Sequence, residues 1–219
     1  MPKRFDRKVY AQVLRVGVPS AAETGLWNVG NTIVVSFLNR LDMMSAGIYT
    51  LVFSIETLPV MFYMGFANAG LTLVGQQTGG QNHKQATKTG FSCLRFALVI
   101  CFVIALILWF FPSQILGIFS SDPSLIEASV PLLRLVAFIL FPKAVNEVIG
   151  LGIRGRGDTR WMLMTQIFGS VLVVSLAYVL LLEVRMGLIG IFITLFIDEL
   201  LRGTMNLIHF SREKTVKVL

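Results

Sequence analysis

The stretch Phe91–Phe111, FSCLRFALVICFVIALILWFF, is apolar almost throughout and carries a single charge, Arg95. At the rise of an α-helix it measures about 31 Å, close to the thickness of a bilayer's hydrocarbon core. Cys93 and Cys101 both lie within it. Eight residues apart, they are separated by about 12 Å of helical rise, beyond disulfide reach, so both read as unpaired residues facing lipid or core. One such run reads as a membrane span, and the rest of the chain decides how many there are.

Working outward, five further runs are long and apolar enough. The six predicted spans cover about 11–38, 46–74, 91–111, 132–153, 162–182 and 188–210. Pro19 and Pro59 fall within the first two, where each removes a backbone donor and can kink the helix. The fold class is therefore all-α: a polytopic membrane bundle of six transmembrane helices, forming one domain over residues 1–219. Composition agrees. Of 219 residues, 55% are hydrophobic and 14% charged, with a mean hydropathy of +0.75, whereas a soluble domain carries roughly 25% charged residues. The net charge of +7 does not point to nucleic acid, because the basic residues lie in short segments between apolar runs and not on one folded face.

Those basic residues assign sidedness. Lys3, Arg4, Arg7 and Lys8 precede the first span, Lys84 and Lys88 follow the second, Arg154, Arg156 and Arg160 follow the fourth, and Arg212, Lys214 and Lys217 follow the sixth. The alternate connections hold Arg40, the acidic stretch SSDPSLIE and Arg185. Lys and Arg excess marks the cytoplasmic side, so both termini are expected in the cytoplasm of a multi-pass inner-membrane protein. The N-terminus is basic, but a helix of full spanning length follows, so no cleavage is expected.

Several apparent motifs carry no chemistry. Gly150, Gly152 and Gly155 spell GxGxxG, yet they close an apolar helix, whereas a dinucleotide fingerprint follows a strand and opens a helix. His83 and His209 sit at helix ends without ligand spacing and read as solvated. No Ser/His/Asp set, HExxH or P-loop is present, so no enzyme, metal site or cofactor is expected.

The informative residues are charges inside spans. An ionised side chain at mid-bilayer costs roughly 3 kcal/mol on insertion scales. Lys143 with Glu147, and Asp198 with Arg202, have i,i+4 spacing and read as ion pairs on one helix face. Glu23 and Glu56 have no basic residue at helical spacing. A buried carboxyl without a partner favours its neutral form, which suits a site that binds and releases a proton or cation. Trp27, Asn31, Tyr63 and Asn68 are the candidate cavity residues beside them, the aromatics offering π faces to an organic cation.

Taken together these residues resemble a known family. GVPSAAETGLWNVGN (residues 17–31) and SIETLPVMFYMGFANAGLTLVGQQTGGQNHKQA (54–86) resemble the first two helices of the C-terminal lobe of MATE (multidrug and toxic compound extrusion) transporters. ILGIFSSDPSLIEASVPLLRL (115–135), GLGIRGRGDTRW (150–161) and GIFITLFIDELLRGTMNLIHF (190–210) resemble the segments flanking that lobe's fourth helix and its last helix. The resemblance implies secondary active export of amphipathic, often cationic, small molecules driven by inward Na⁺ or H⁺ movement. It implies a coupling role for an acid on the first helix, matched by Glu23, and a less settled one for Glu56. It also implies twelve helices in two lobes with a cavity between them, and this chain supplies six. The aspartate expected in the N-terminal lobe's first helix is absent. The partner implied is thus a second six-helix lobe, either another copy or a missing N-terminal half. The competing expectation is a membrane subunit without transport of its own, or a truncated gene product needing a second lobe.

Overall fold

The computed structural model describes residues 7–39 and 43–212. Lys3, Arg4, Arg40, Lys214 and Lys217, used above for sidedness, lie outside the described residues. The elements are α1 (Arg7–Leu38), α2 (Met43–Gly79), α3 (His83–Phe110), α4 (Pro112–Phe119), α5 (Pro123–Gly155), α6 (Thr159–Tyr178), a π turn prolonging it (Val179–Glu183), and α7 (Leu188–Ser211). The six long helices correspond to the six predicted spans. Four of them, α2, α3, α5 and α6, are long and apolar enough by composition alone to cross a membrane. On α1 Glu23, Asn28 and Asn31 dilute the apolar run, and on α7 Asp198, Glu199 and Arg202 interrupt it; the fold buries all four charges.

The structure corrects the predicted boundaries. Hydropathy sees only the apolar middle of a helix, so it places the polar ends of α2 (QQTG) and α3 (HKQATKT) in loops, although they are helical. The connection 112–131, expected as an acidic loop, contains α4 and the first turns of α5. Pro112 opens α4 at a position where a missing N–H costs nothing. Asp122 caps α5: its Oδ1 accepts from the backbone N–H of Ser124 at 2.9 Å, ahead of Pro123 at the first helical position. Pro19 and Pro59 sit inside α1 and α2 as expected, and α5 additionally contains Pro131 and Pro142.

The centre of the bundle is α5, packed against α2, α3 and α7, while α1 lies along α6 and touches α2 little. One apolar cluster gathers Ile55, Leu133, Leu140 and Phe192, and a second gathers Tyr63, Ile149 and Phe210. The GxGxxG glycines turn out to be packing residues on three faces of α5. A Cβ at Gly150 would meet Met162 of α6, at Gly152 Phe210 of α7, and at Gly155 the Leu71 carbonyl oxygen of α2 at 2.6 Å. Close by, the Arg156 guanidinium lies 3.7 Å from the Phe210 ring centroid and donates to the Phe210 carbonyl and the Thr87 hydroxyl. One end of the bundle is thereby tied across α3, the α5–α6 turn and α7, and it is the end that carries Lys84, Lys88, Arg154 and Arg160. His209, read as solvated, is instead stacked on Trp161 with centroids 4.0 Å apart and holds Nε2 2.9 Å from Asp158 Oδ2. Cys93 and Cys101 are unpaired and buried.

Candidate functional site: charged cavities inside the bundle

Because α1 leans on α6 and leaves α2, a cavity of about 370 Å³ opens between them. Trp27 and Asn31 of α1 line it, with Tyr49, Phe53 and Glu56 of α2, Lys143 and Glu147 of α5, Gln166 of α6, and Asp198, Glu199 and Arg202 of α7. A second cavity of about 200 Å³ lies toward the basic end and adds Glu23, Asn146 and Arg154. Trp27, Glu147, Gln166 and Arg202 belong to both.

Three ion pairs neutralise most of this charge. Lys143 Nζ donates to Glu56 Oε1 at 2.6 Å. Arg154 reaches Glu23 with two nitrogens, Nε lying 3.3 Å from Oε2. Arg202 Nε bridges both oxygens of Asp198 at 2.9 and 3.0 Å, while its Nη1 donates to Gln166 at 3.0 Å. The expected Asp198–Arg202 pair is therefore present. Two expectations need correction. Glu23 and Glu56 are not unpaired, and Lys143 is not the partner of Glu147. The acids found their cations 131 and 87 residues away on α5, and helical spacing reports only partners on the same helix. Pairing across helices also lets each buried charge keep a counterion in a low-dielectric interior, where leaving one alone costs several kcal/mol.

A chain of amides, not anticipated from the sequence, supports these charges. Trp161 Nε1 donates to Asn206 Oδ1, Asn206 Nδ2 to Asn146 Oδ1, and Asn146 Nδ2 to Glu199 Oε2, each at 2.8 Å. The signal available was the presence of Asn146, Gln166 and Asn206 inside apolar spans, since uncharged polar side chains there need partners too. Gly169 gives the Asp198–Arg202 pair its room: a Cβ there would lie 2.6 Å from Arg202 Cδ and 2.7 Å from Asp198 Oδ1.

The other sequence candidates divide. Trp27 and Asn31 face the cavity. Tyr63 and Asn68 do not. Tyr63 is fully buried in the core beside α3 and α5, lines neither cavity, and its hydroxyl has no hydrogen-bond partner among the described residues. Asn68 is exposed and its amide donates to the Met64 carbonyl one turn back. On α2 the stripe through Glu56 leaves the cavity after Val60, so that Tyr63 enters the contact with α3 and α5 while Asn68 faces outward.

With this geometry established, comparison with known proteins decides the family. The profile of the MatE family matches residues 19–179. The chain belongs to the MatE family. A "Probable multidrug resistance protein NorM" of Thermotoga maritima is 28% identical over 220 residues, covering 99% of this chain and 46% of that protein. An "Uncharacterized transporter YisQ" of Bacillus subtilis is 28% identical over 200 residues, covering 89% and 43%. The fold matches a crystal structure of MATE in the bent conformation with a TM-score of 0.87 at 18% identity, over 97% of this chain and 48% of that one. It matches the outward-facing conformation of a multidrug resistance MATE family transporter at 0.86 and 19%, over 96% and 48%. The chain spans less than half the length of the curated relatives it matches. It is a helical, multi-pass membrane protein of a multidrug-efflux transporter family, and its span of those structures fits one lobe.

Proposed function

We propose that this chain works as one lobe of an antiporter that exports amphipathic, cationic small organic molecules against inward movement of Na⁺ or H⁺. The observation that carries the reading is the cavity of about 370 Å³. Four carboxylates line it (Glu56, Glu147, Asp198 and Glu199) against two cations, Lys143 and Arg202, and Trp27, Tyr49 and Phe53 supply π faces. An organic cation gains from both features, and the excess of acid leaves room for a coupling ion. Glu23 and Glu56 take part through their ion pairs with Arg154 and Lys143, which open and close as the ion and substrate exchange. The second lobe is another copy or another six-helix segment, and the lobe sits in the inner membrane with both ends cytoplasmic.

Efflux of a fluorescent organic cation from cells that make the chain tests this. Export should stop when the ion gradient is collapsed, and a cysteine at Asn31 should crosslink to the second lobe. Crosslinked assemblies that move no organic cation under any ion gradient would leave a non-transporting membrane subunit as the better description.

A further inference from the structure

No residue of α3 lines either cavity. Where α3 packs against α5, the two helices present large exposed apolar side chains, among them Phe102 and Phe110 of α3 and Phe138 of α5. On α5, Glu127, Pro131, Arg134 and Phe138 are all exposed, and their spacing of four, three and four residues sets them in one stripe. Arg134 is thus a cation placed on a lipid-facing surface. Its guanidinium carbon lies 5.6 Å from the centroid of the Trp109 ring of α3. That ring in turn meets Phe138 edge-on, with centroids 5.2 Å apart and planes at 83°. Three side chains from two helices therefore hold one another in place.

The depth of this trio follows from the sequence. Trp109 stands one residue before the end of α3, and Arg134 stands two residues inside the apolar run that begins at Leu132. Both lie within about 3 Å of rise of the hydrocarbon boundary, at the end of the bundle that carries α4. Tryptophan is favoured at this level, and an arginine there extends its head toward the headgroups. Among the described residues no carboxylate pairs with Arg134. Glu127, the acid on the same stripe, lies about 10 Å of rise nearer the start of α5. A cation at the edge of the hydrocarbon needs a counterion, and a guanidinium grips a phosphate with two N–H groups at once. We propose that Arg134, Trp109 and Phe138 form a binding site for an anionic phospholipid in the leaflet at the α4 end. The phosphate accepts from the Arg134 guanidinium, and the acyl chains lie along Phe138 and the exposed phenylalanines of α3. A headgroup of net negative charge fits better than a zwitterionic one, whose own ammonium is repelled by Arg134 and competes with it for the Trp109 π face. The site is separate from the cavities and does not depend on the transport reading.

Tryptophan quenching by lipids brominated on their acyl chains tests this with the whole chain in phosphatidylcholine vesicles. A minor fraction of brominated phosphatidylglycerol or of brominated phosphatidylcholine is added, and the part of the emission that Trp109→Phe removes reports on the site. In the wild type, brominated phosphatidylglycerol should quench that part as strongly as about five times its mole fraction of brominated phosphatidylcholine, the enrichment expected for one anionic lipid beside one arginine. Arg134→Gln, at an exposed position, should bring the two curves together, and Arg134→Lys should keep most of the difference. Equal quenching by the two lipids in the wild type overturns the proposal without recourse to any variant. A preference that persists in Arg134→Gln overturns it as well and assigns the attraction to charges elsewhere on the chain. Quenching by neither lipid would show that protein, such as a second copy, covers this face, and overturns it too.

Discussion

Lys143 donates to Glu56 at 2.6 Å across 87 residues of sequence, and so leaves Glu147, one turn along its own helix, without an ion pair among the described residues. The shorter loop closure lost to the longer one because α2 and α5 pack side by side at this level, bringing the Glu56 carboxylate to the ammonium. The pair is mostly buried, with 5% of the Glu56 side chain exposed and 21% of Lys143. Removing one partner strands the other, at a cost of about 3–5 kcal/mol for a buried pair. Lys143→Met should therefore lower the melting temperature in detergent more than Lys143→Met combined with Glu56→Gln does. Additive losses in that double-mutant cycle would show that the two side chains do not couple.

The fold was legible in the sequence to the extent that it is written in apolar length. Phe91–Phe111 and its five counterparts locate six long helices, and Pro19 and Pro59 lie inside the first two of them, whereas Lys84, Lys88, Arg154 and Arg160 lie within helix ends. The ends were not legible, because QQTG and HKQATKT continue helices without being apolar, and Asp122 with Pro123 starts α5 inside a stretch that looks like acidic loop. For the site, the sequence named the buried charges and the Asp198–Arg202 pair correctly, since i,i+4 spacing is a local property. Partners of Glu23 and Glu56 on another helix, and the placement of Tyr63 in the core and Asn68 on the exposed surface, both away from the cavity, are tertiary facts that no periodicity encodes.

Glu23 and Arg154 should behave like a tether of α1. This helix leans chiefly on α6, and the double contact from Arg154 fixes it to the far end of α5. Arg154→Leu should destabilise by about 1–3 kcal/mol, the order expected for a stranded partner, and should speed amide exchange in α1 more than in α3. Hydrogen exchange read by mass spectrometry checks this; equal acceleration in both helices would argue for a global effect and against a tether.

Gly169→Ala should be costly and Gly65→Ala should not. A methyl at 169 would press on Arg202, which Asp198 and Gln166 hold from both sides, so neither it nor the acid can step away without losing a bond. Overpacking of this kind costs about 1–3 kcal/mol. At Gly65, in the middle of α2, nothing lies within 4 Å of the added atom, and alanine should gain about 0.5–1 kcal/mol in helix formation. Thermal melts of the two variants should move in opposite directions.

Asp122 supplies the pH dependence that lies outside the membrane. Its carboxylate accepts from the Ser124 hydroxyl and from the Ser124 backbone N–H, and these bonds hold its pKa below the ordinary carboxylate value. A group whose pKa is lower folded than unfolded stabilises the fold above its unfolded pKa, and that contribution fades as pH falls through the folded value. Wild type and Asp122→Asn should therefore differ in stability at neutral pH and converge in acid. A difference that stays constant down to the acid limit would show that the cap does not depend on ionisation.

The last prediction concerns which end faces the cytoplasm. The turn before α3, the α5–α6 turn and the end of α7 meet at one end, clasped by Arg156 against Phe210 and Thr87, and Lys84, Lys88, Arg154 and Arg160 gather there. The opposite end carries α4 and the Asp122 cap. Basic residues flanking spans are retained in the cytoplasm, so the clasped end should be cytoplasmic. Both native cysteines are buried, and replacing them with alanine gives a background without accessible thiols. Lys84→Cys and Ser121→Cys, both at exposed positions, then report on the two ends. A membrane-impermeant maleimide added to intact cells should label Ser121→Cys at once and Lys84→Cys only after permeabilisation. Labelling of both from outside would break the alternation of spans itself, and the reverse pattern would keep the spans while inverting the lobe.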